Sequence, residues 1–176
     1  MRSVEEQLAI VTQAASAPEP VRIAIAEALG LMCAEEVQAQ RALPGFDQAA
    51  IDGYAIRAVD IGGERGLGQA TDDYVRPSEV SLPVVGMVAA GSGRPIRLQP
   101  KQAGRVETGA PLPSLSDAVI PLAWTDRGRK RMTALKPVRS GEFVRKQGDD
   151  IRPGDVAVTQ GAILSPAHIG LLAAVG

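Results

Sequence analysis

Residues 46–60 read FDQAAIDGYAIRAVD, and within this stretch a polar turn gives way to an apolar strand. Asp52-Gly53 is a dipeptide typical of turns, and the YAIRAV run that begins at Tyr54 has the composition of a short strand. Two interpretations of Asp52 stay open. It belongs either to an ordinary turn between two lobes or to the mouth of a cleft, where its carboxylate can accept a hydrogen bond or steer a metal ion.

The chain after this turn, from residue 53 to residue 141, has the pattern of a β-rich lobe. Its short apolar runs, which include PVVGMV, DAVIPLAW and MTALKPV, alternate with glycine and proline. Runs of this length between such breaks predict short strands, and we expect them to form a barrel-like sheet. The charged RGRKR stretch at residues 127–131 suits the tip of a hairpin. It is either simply solvated or attracts an anion such as phosphate or molybdate.

The beginning of the chain predicts helices and a strand. Ser3 and Glu6 stand in the capping-box relation at the start of a segment with apolar residues at helical spacing. The Ala- and Leu-rich residues 24–35 predict a second helix, because both residue types favour helices. The alternating pattern of residues 37–43 predicts a strand.

The end of the chain returns to this mixed character. Residues 142–176 predict two short strands and then a helix, since Ser165-Pro166 is typical of a helix start. We therefore predict a mixed α/β (α+β) fold. In this fold residues 1–46 and 142–176 form one discontinuous lobe, and the β-rich residues 53–141 are inserted between its two halves.

The composition argues against several classes of protein. The chain carries 19 Lys and Arg against 20 Asp and Glu, and 3% of its residues are aromatic, so it lacks both the charge and the stacking rings of a nucleic-acid binder. Its single cysteine, Cys33, allows no disulfide framework and no cysteine-based zinc site. Because no apolar stretch reaches the ~18 residues of a membrane helix and no signal peptide is evident, we expect a cytoplasmic protein with no membrane partner.

Two further stretches have the residues of a binding site. RVETGAPLP, residues 105–113, holds Thr108 beside a glycine and prolines, which either make a rigid turn or present the hydroxyl to an anion. RKQGDDIRPGD, residues 145–155, mixes cations with carboxylates. These acids either pair locally in a solvated turn or bind Mg²⁺ through water, since that ion takes few protein ligands. Neither stretch indicates a reaction when it is considered alone.

Taken together and in this order, the three stretches resemble a known family. FDQAAIDGYAIRAVD, RVETGAPLP and RKQGDDIRPGD, followed by ILSPAHIGLLAAVG, are similar to the N-terminal half, domains I and II, of MoeA-type molybdopterin molybdenumtransferases. The C-terminal domain of gephyrin is of the same family. The resemblance covers nearly all of residues 20–176.

The resemblance implies the two-lobe architecture, an elongated homodimer and an enzymatic role in molybdenum cofactor biosynthesis. The implied reaction is the Mg²⁺-dependent insertion of molybdate into the dithiolene of adenylylated molybdopterin (molybdopterin-AMP), with release of AMP. The implied active cleft lies between the second domain of one subunit and the third domain of the other. The present chain would then supply one wall of that cleft.

The resemblance also implies roles for particular residues. The expected catalytic residues are Asp52, the acid of the family's D-G-Y-A, Thr108, the hydroxyl of its T-G-A-P, and Asp150, the second acid of its G-E-D. The expected cofactor-binding residues are Gly109, Arg145 and Asp149. No residue is assigned as a metal ligand. Polar groups held in this way act by orienting ligands and stabilising charge, without a covalent intermediate.

The chain departs from the family pattern at several positions. Gln48-Ala49 stand where the family usually has Asn-Ser, Glu107 stands where it has Met, and Phe143 stands where it has Asn. The resemblance ends at LLAAVG, so we expect the third domain, which binds molybdopterin and molybdate, and the fourth domain to be absent. We therefore expect the chain alone not to insert molybdenum, or to need a separate molybdopterin-binding protein. The alternative is a non-catalytic dimerisation or interaction scaffold derived from the same family.

Overall fold

The computed structural model of the chain describes residues 2–16, 18–62, 80–93 and 96–176. The α-helices in this part of the chain are α1 (Val4–Ala14) and α2 (Pro166–Val175). The strands are β1 (Val37–Gln38), β2 (Gln48–Ala49), β3 (Gly53–Ile56), β4 (Val80–Val88), β5 (Ala103–Val106), β6 (Ala118–Pro121), β7 (Arg131–Ala134), β8 (Val144–Arg145) and β9 (Val156–Val158). Neither helix has the length and apolar character that a membrane span needs.

Contacts within the chain divide it into two compact units. The terminal unit consists of Met1–Gln38 and Val156–Ala173, and therefore draws on both ends of the chain. The central unit consists of Ala39–Asp155 and Ala174–Gly176.

Helix α1 begins with the local hydrogen bonds that its sequence predicts. The hydroxyl of Ser3 accepts the backbone N–H of Glu6 at 3.1 Å, and the carboxylate of Glu6 accepts the N–H of Ser3 at 3.0 Å. This capping box satisfies N–H groups that the start of a helix leaves without partners. The predicted first helix is confirmed, and every residue of it is exposed.

The predicted second helix at residues 24–35 is wrong. Only one 3-10 turn forms there, and the chain then changes direction at Gly30, whose φ is 81°. The N–H of Gly30 donates to the carbonyl of Leu164 at 2.8 Å, and the N–H of Cys33 donates to the carbonyl of Ala162 at 2.9 Å. Backbone groups that a helix would use are bonded to a distant segment, and helix propensity is too weak to oppose this pairing.

The other elements near the chain ends match the prediction in part. Of the predicted strand at residues 37–43, β1 covers only the first two residues. Helix α2 begins at Pro166 as predicted, and the hydroxyl of Ser165 accepts the N–H of His168 at 3.3 Å.

A small apolar core lies in the terminal unit. β1 and β9 pair antiparallel there. Buried Ala28, Val158 and Leu164 form the core, and Ile169 and Leu172 of α2 pack against it.

Among the described residues, the central unit contains a five-stranded sheet with the order β6-β3-β5-β4-β7. β4 and β5 run parallel, and the other neighbours run antiparallel. The chain that follows β6 returns to the far edge of the sheet, where Thr125 bridges Ala134 of β7. The sheet therefore curls into a half-barrel, which confirms a mixed α/β fold with a β-rich middle. The discontinuous lobe of residues 1–46 and 142–176 stays a prediction.

Strand β3 is buried on both of its faces. Tyr54 and Ile56 lie in one apolar cluster, which includes Ile120 and Met132. Ala55, which points the other way, lies in a second cluster. A strand buried on both sides requires a continuous apolar run, and this explains why YAI follows the polar turn directly.

The start of β3 leaves no room for a side chain at Gly53. A Cβ atom there would overlap the carbonyl oxygen of Ile120 and would lie 2.9 Å from a methyl carbon of Val119, both in β6. The glycine that follows Asp52 thus allows the backbone of β6 to approach β3 closely.

Replacing Gly53 by Ala is expected to lower the free energy of unfolding by about 2 kcal/mol, because the backbones of β3 and β6 must separate to admit the methyl group. Urea unfolding followed by circular dichroism measures the change. Gly45→Ala is the matched control, since its nearest neighbour would be 3.9 Å away. Its expected effect is within about 0.5 kcal/mol. Equal effects of the two substitutions would contradict the close approach at Gly53.

Candidate functional site

The backbone of residues 47–50 connects the sequence motifs of the central unit. Toward the RVETGAPLP motif, Ala49 donates its N–H to the carbonyl of Ala110 and accepts the N–H of Gly109, both at 2.9 Å. Ala49 itself is 1% exposed. Its two hydrogen bonds therefore form in a site from which water is excluded, and they hold the two motifs in one register.

The same segment pairs with the RKQGDDIRPGD motif on its other side. In the β2–β8 ladder, Gln48 lies opposite Arg145. Ala50 then donates its N–H to the carbonyl of Phe143 at 2.9 Å. All three motifs thus meet along residues 47–50.

Asp52 and Thr108 form the most direct contact between the predicted catalytic residues. Oδ1 of Asp52 accepts the backbone N–H of Thr108 at 2.8 Å and its hydroxyl at 2.7 Å. Within the described part of the chain, Oδ2 of Asp52 accepts no hydrogen bond. Both residues are exposed. One oxygen of the carboxylate is therefore held in place while the other is available to a ligand.

These contacts hold the pKa of Asp52 below the ordinary value for an aspartate. The backbone N–H of Thr108 contributes most to the lowering, its hydroxyl contributes next, and the positive charge of Arg105 adds a smaller part. Partial desolvation acts in the opposite direction. Because each hydrogen bond favours the charged form, Asp52 is ionised at neutral pH.

Gly109 shapes the loop that carries Thr108. Its φ is 81°, in the left-handed region that glycine adopts without a steric cost. Its N–H is already bonded to Ala49. The role proposed for Gly109 in cofactor binding thus depends on the shape of the loop and not on a free N–H group.

Arg145 and Asp150 form an ion pair in the second loop. Nη2 of Arg145 lies 2.6 Å from each of the two carboxylate oxygens of Asp150. The two side chains are 42% and 51% exposed, so the pair orders the loop more than it stabilises the fold. Both carboxylate oxygens of Asp150 are therefore engaged by a neighbour.

Asp149 and Asp47 hold the same loop in place. Oδ2 of Asp149 accepts the backbone N–H of Lys146 at 2.7 Å. Asp47 accepts from Nζ of Lys146 at 2.8 Å and from the N–H of Gln147 at 2.9 Å. The hydrogen bond from Lys146 is the largest cause of the lowered pKa of Asp47. The bond of Asp149 lies within the loop, and the two bonds of Asp47 attach the loop to residues 47–50.

The six predicted site residues thus form two groups. Asp52, Thr108 and Gly109 make up the first group, and Arg145, Asp149 and Asp150 make up the second. We find no hydrogen bond or ion pair between the two groups, all of whose residues the structure describes. The structure brings the members of each group together and keeps the groups as separate parts of one unit.

A Mg²⁺ ion can be tested against these groups. In the described ranges, no cluster of three or more His, Cys, Asp or Glu side chains is placed to hold a metal. Mg²⁺ retains several waters and takes only one or two carboxylates, so a single available oxygen is sufficient. Asp52 fits this requirement through Oδ2. Asp150 fits it only if its ion pair with Arg145 opens.

Sequence reasoning assigned no role to Asp47, Lys146 or Arg105. Asp47 lies in the same motif as Asp52, and Lys146 lies in the RKQGDDIRPGD motif. Nothing in the sequence indicates that Asp47 and Lys146 pair, because 99 positions separate them. The place of Arg105 opposite Tyr54 follows from the register of β3 and β5, which depends on tertiary packing.

Comparison with known proteins settles the family. A family model described as the MoeA N-terminal region (domains I and II) matches residues 2–176. The chain belongs to the MoeA family. Molybdopterin molybdenumtransferase 1 of Mycobacterium tuberculosis is 56% identical over 181 residues, which cover 100% of this chain and 42% of that protein. Molybdopterin molybdenumtransferase of Synechococcus elongatus is 34% identical over 175 residues, which cover 99% of this chain and 40% of that protein.

The MoeA assignment extends to solved structures. A molybdopterin biosynthesis MoeA protein from Pyrococcus horikoshii superposes with a TM-score of 0.79 at 33% identity, covering 98% of this chain and 41% of that chain. A second structure, from Pyrococcus horikoshii OT3, gives a TM-score of 0.74 at 32% identity and covers 88% of this chain and 38% of that chain. The chain therefore spans less than half the length of the MoeA proteins that it matches.

One departure from the MoeA pattern has a structural explanation. The resemblance implies Asn at the position of Phe143, where φ is 56°, a left-handed conformation that Asn adopts more readily than Phe. The ring of Phe143 packs edge-on against Trp124, with 5.4 Å between the ring centroids. Such a contact stabilises by about 1 kcal/mol, which is comparable to the conformational cost. The carbonyl that Ala50 requires is thus kept with a different side chain.

Thr108→Val is expected to raise the pKa of Asp52 toward the ordinary aspartate value, because the hydroxyl hydrogen bond is lost while the backbone bond remains. Carboxyl-carbon NMR titration measures the change. Asp126 is the control within the same spectrum, since its pKa is lowered by bonds from Thr133 and Gly128, which Thr108 does not touch. An unchanged titration of Asp52 in the variant would contradict the geometry described here.

The same substitution has a predicted effect on stability. A carboxylate whose folded pKa lies below the unfolded value of about 3.9 stabilises the fold above that value and loses this contribution as the pH falls through the folded pKa. Thr108→Val is therefore expected to destabilise the chain more at pH 7 than at pH 2.5. Urea unfolding at the two pH values provides the comparison.

Proposed function

We propose that this chain forms one wall of the active cleft of a molybdopterin molybdenumtransferase, an enzyme of molybdenum cofactor biosynthesis. The observation that carries this proposal is the Asp52–Thr108 contact, in a chain that belongs to the MoeA N-terminal region. Curated relatives that match nearly all of this chain carry that enzyme name. They are more than twice as long, so the remaining part of such a protein would supply the other wall.

Asp52 would act as a fixed negative charge. Its Oδ1 is held by Thr108 and its pKa is lowered, so it stays ionised over the physiological range of pH. Its Oδ2 is then available to orient a hydrated cation or a donor on the ligand. A group fixed before the ligand binds needs little rearrangement during the reaction, and this is the usual basis of electrostatic catalysis.

Thr108 would serve as the positioning partner of Asp52. It donates both its N–H and its hydroxyl to the same carboxylate oxygen, which leaves the carboxylate little freedom to rotate. Gly109 would let the loop approach the ligand closely. In this proposal these groups position the ligand and stabilise charge, without forming a covalent intermediate.

Mg²⁺ is the cofactor that we propose for this site, and Asp52 is the residue that would hold it. When bound, Mg²⁺ would neutralise negative charge on molybdate and on the phosphate of molybdopterin-AMP, the proposed substrates. The chain's own part is to supply one carboxylate oxygen and to keep that carboxylate ionised.

The Arg145–Asp150 pair would form a second contact region. Arg145 can exchange Asp150 for an anionic group of the ligand, since the pair is exposed and weakly held. Asp149 would then keep the loop in shape through the N–H of Lys146. In this proposal Asp150 releases Arg145 to the ligand and becomes available to the metal.

The remaining parts of the proposal concern organisation. We propose a homodimer in the cytoplasm whose first domain is formed by residues 1–46 and 142–176 and whose second domain is formed by residues 53–141. The terminal unit supports the first domain, because it too combines both ends of the chain. A protein limited to this region would need a separate molybdopterin-binding partner, because the proposed third and fourth domains lie outside it.

The test uses a full-length protein that contains this region. Asp52→Asn keeps the shape of the side chain and removes its charge, and it is expected to lower the rate of molybdate insertion by about a hundredfold or more. Thr108→Val is expected to lower the rate less, because the backbone bond to Asp52 remains. AMP release from molybdopterin-AMP in the presence of Mg²⁺ and molybdate provides the rate.

The matched control is Asp155→Asn, which removes another exposed carboxylate of the central unit. Among the described residues, the carboxylate of Asp155 accepts a hydrogen bond only from the N–H of Arg152, and the side chain of Asn can accept the same bond. Its rate should stay within about twofold of the wild type. Light scattering shows whether the variants remain dimers. Full cofactor synthesis by Asp52→Asn would reject the enzymatic proposal in favour of a non-catalytic scaffold.

A further inference from the structure

A cavity separate from the two groups described above lies on the central sheet. Its volume is about 480 Å³, within the range of small-molecule sites. We call it the β4–β5 cavity. The described residues that line it are Val84, Gly86, Met87, Arg105 and Arg129.

No acidic side chain in the described part of the chain forms an ion pair with either arginine of this cavity. The ion pairs found among the described residues are those of Arg57, Arg145 and Lys146, and none involves Arg105 or Arg129. Arg105 acts on Asp52 only through its charge, without a hydrogen bond. Arginine presents several N–H donors in a plane and cannot lose its charge, so an unpaired arginine pair in a cavity favours an oxyanion.

The fold holds both arginines in defined places. Arg105 belongs to β5, where it is flanked by Tyr54 of β3 and Met87 of β4. Arg129 follows Gly128, whose carbonyl accepts the hydroxyl of Tyr54 at 3.1 Å. Tyr54 is 0% exposed, so the loop that carries Arg129 is attached to a buried anchor. Such attachment distinguishes the cavity from a cluster of freely moving surface charges.

The other described residues of the lining are apolar. Val84 and Met87 offer aliphatic and thioether surface, and thioether sulfur makes favourable contacts with aromatic rings. Gly86 adds no side chain. A volume of about 480 Å³ exceeds what a bare phosphate needs, so it has room for an organic group beside the charged one.

We propose that the β4–β5 cavity binds a tetrahedral oxyanion on Arg105 and Arg129, with the organic part of a phosphate monoester against Val84 and Met87. The ligand class is a phosphorylated aromatic heterocycle, for which AMP is the probe. Free oxyanions share the charged half of this chemistry. The proposal does not depend on the transferase activity, because it concerns different residues and a simple binding equilibrium.

Isothermal titration calorimetry of the 176-residue chain with AMP tests the proposal. Arg129→Gln removes one charge from an exposed loop position, and AMP affinity is expected to fall about tenfold, the loss expected for one charge-assisted hydrogen bond. Arg105→Gln is expected to lower the affinity for AMP by a similar factor, and Arg105→Lys is expected to lower it less. Thermal unfolding checks that each variant is folded.

Arg127→Gln is the matched control. It makes the same chemical change two residues away in the same loop, at a residue that does not line the cavity. AMP affinity should be unchanged in it. An equal loss in Arg127→Gln and Arg129→Gln would overturn the proposal, because binding would then follow the total charge of the loop. No heat of binding at about 10 mM AMP, phosphate or molybdate would overturn it as well.

Inorganic phosphate, molybdate and adenosine separate the parts of the ligand. Tighter binding of AMP than of phosphate or molybdate supports the phosphate monoester, and equal binding supports a free oxyanion on the same arginines. Adenosine binding as tight as that of AMP would overturn the proposal. Asp52→Asn should bind AMP at least as well as the wild type, because it removes a negative charge near Arg105. This outcome separates the cavity from the transferase proposal, in which the same substitution lowers the rate of molybdate insertion.

Discussion

The backbone of residues 47–50 is hydrogen-bonded on both sides, and this double pairing positions the candidate site. Ala49 bonds to the loop after β5, while Ala50 and β2 bond to the loop around β8. Because Ala49 and Ala110 are buried, breaking the bond between them leaves an unsatisfied polar group away from water. The three motifs are therefore held as one structure. Asp47, the first residue of the segment, and Asp52, two residues beyond it, are positioned by this pairing.

The charges around this segment are arranged in two different ways. Asp47 and Asp150 are paired with Lys146 and Arg145, so the second loop is largely neutral as the chain stands. Asp52, in contrast, is stabilised by hydrogen bonds from neutral groups and retains its full negative charge. A carboxylate held by N–H and O–H donors is ready for a cation, whereas a paired carboxylate must first lose its partner. This difference sets Asp52 apart from the other acids.

Features with local causes could be predicted from the sequence. The start of α1 depends on Ser3 and Glu6 alone, and the half-barrel follows from short apolar runs between glycines and prolines. The failure at residues 24–35 has the opposite cause, since Gly30 and Cys33 are bonded to a segment about 130 residues away. The motif residues were predicted by resemblance, but their pairing was not. Which carboxylate meets a hydroxyl and which meets an arginine depends on register, and no local pattern reports it.

The double pairing also fixes the number of residues between Asp47 and Asp52. Successive residues of an extended chain face opposite ways, so one residue added directly after Asp47 would turn the residues that follow it to the opposite face. The side chain of Gln48 would then fall where Ala49 is buried, and Asp52 would no longer reach Thr108. A substitution along this segment leaves the other side chains on their own faces, whereas an insertion or a deletion moves every residue that follows it. The count of residues between the two acids is thus as much a part of the site as the acids themselves.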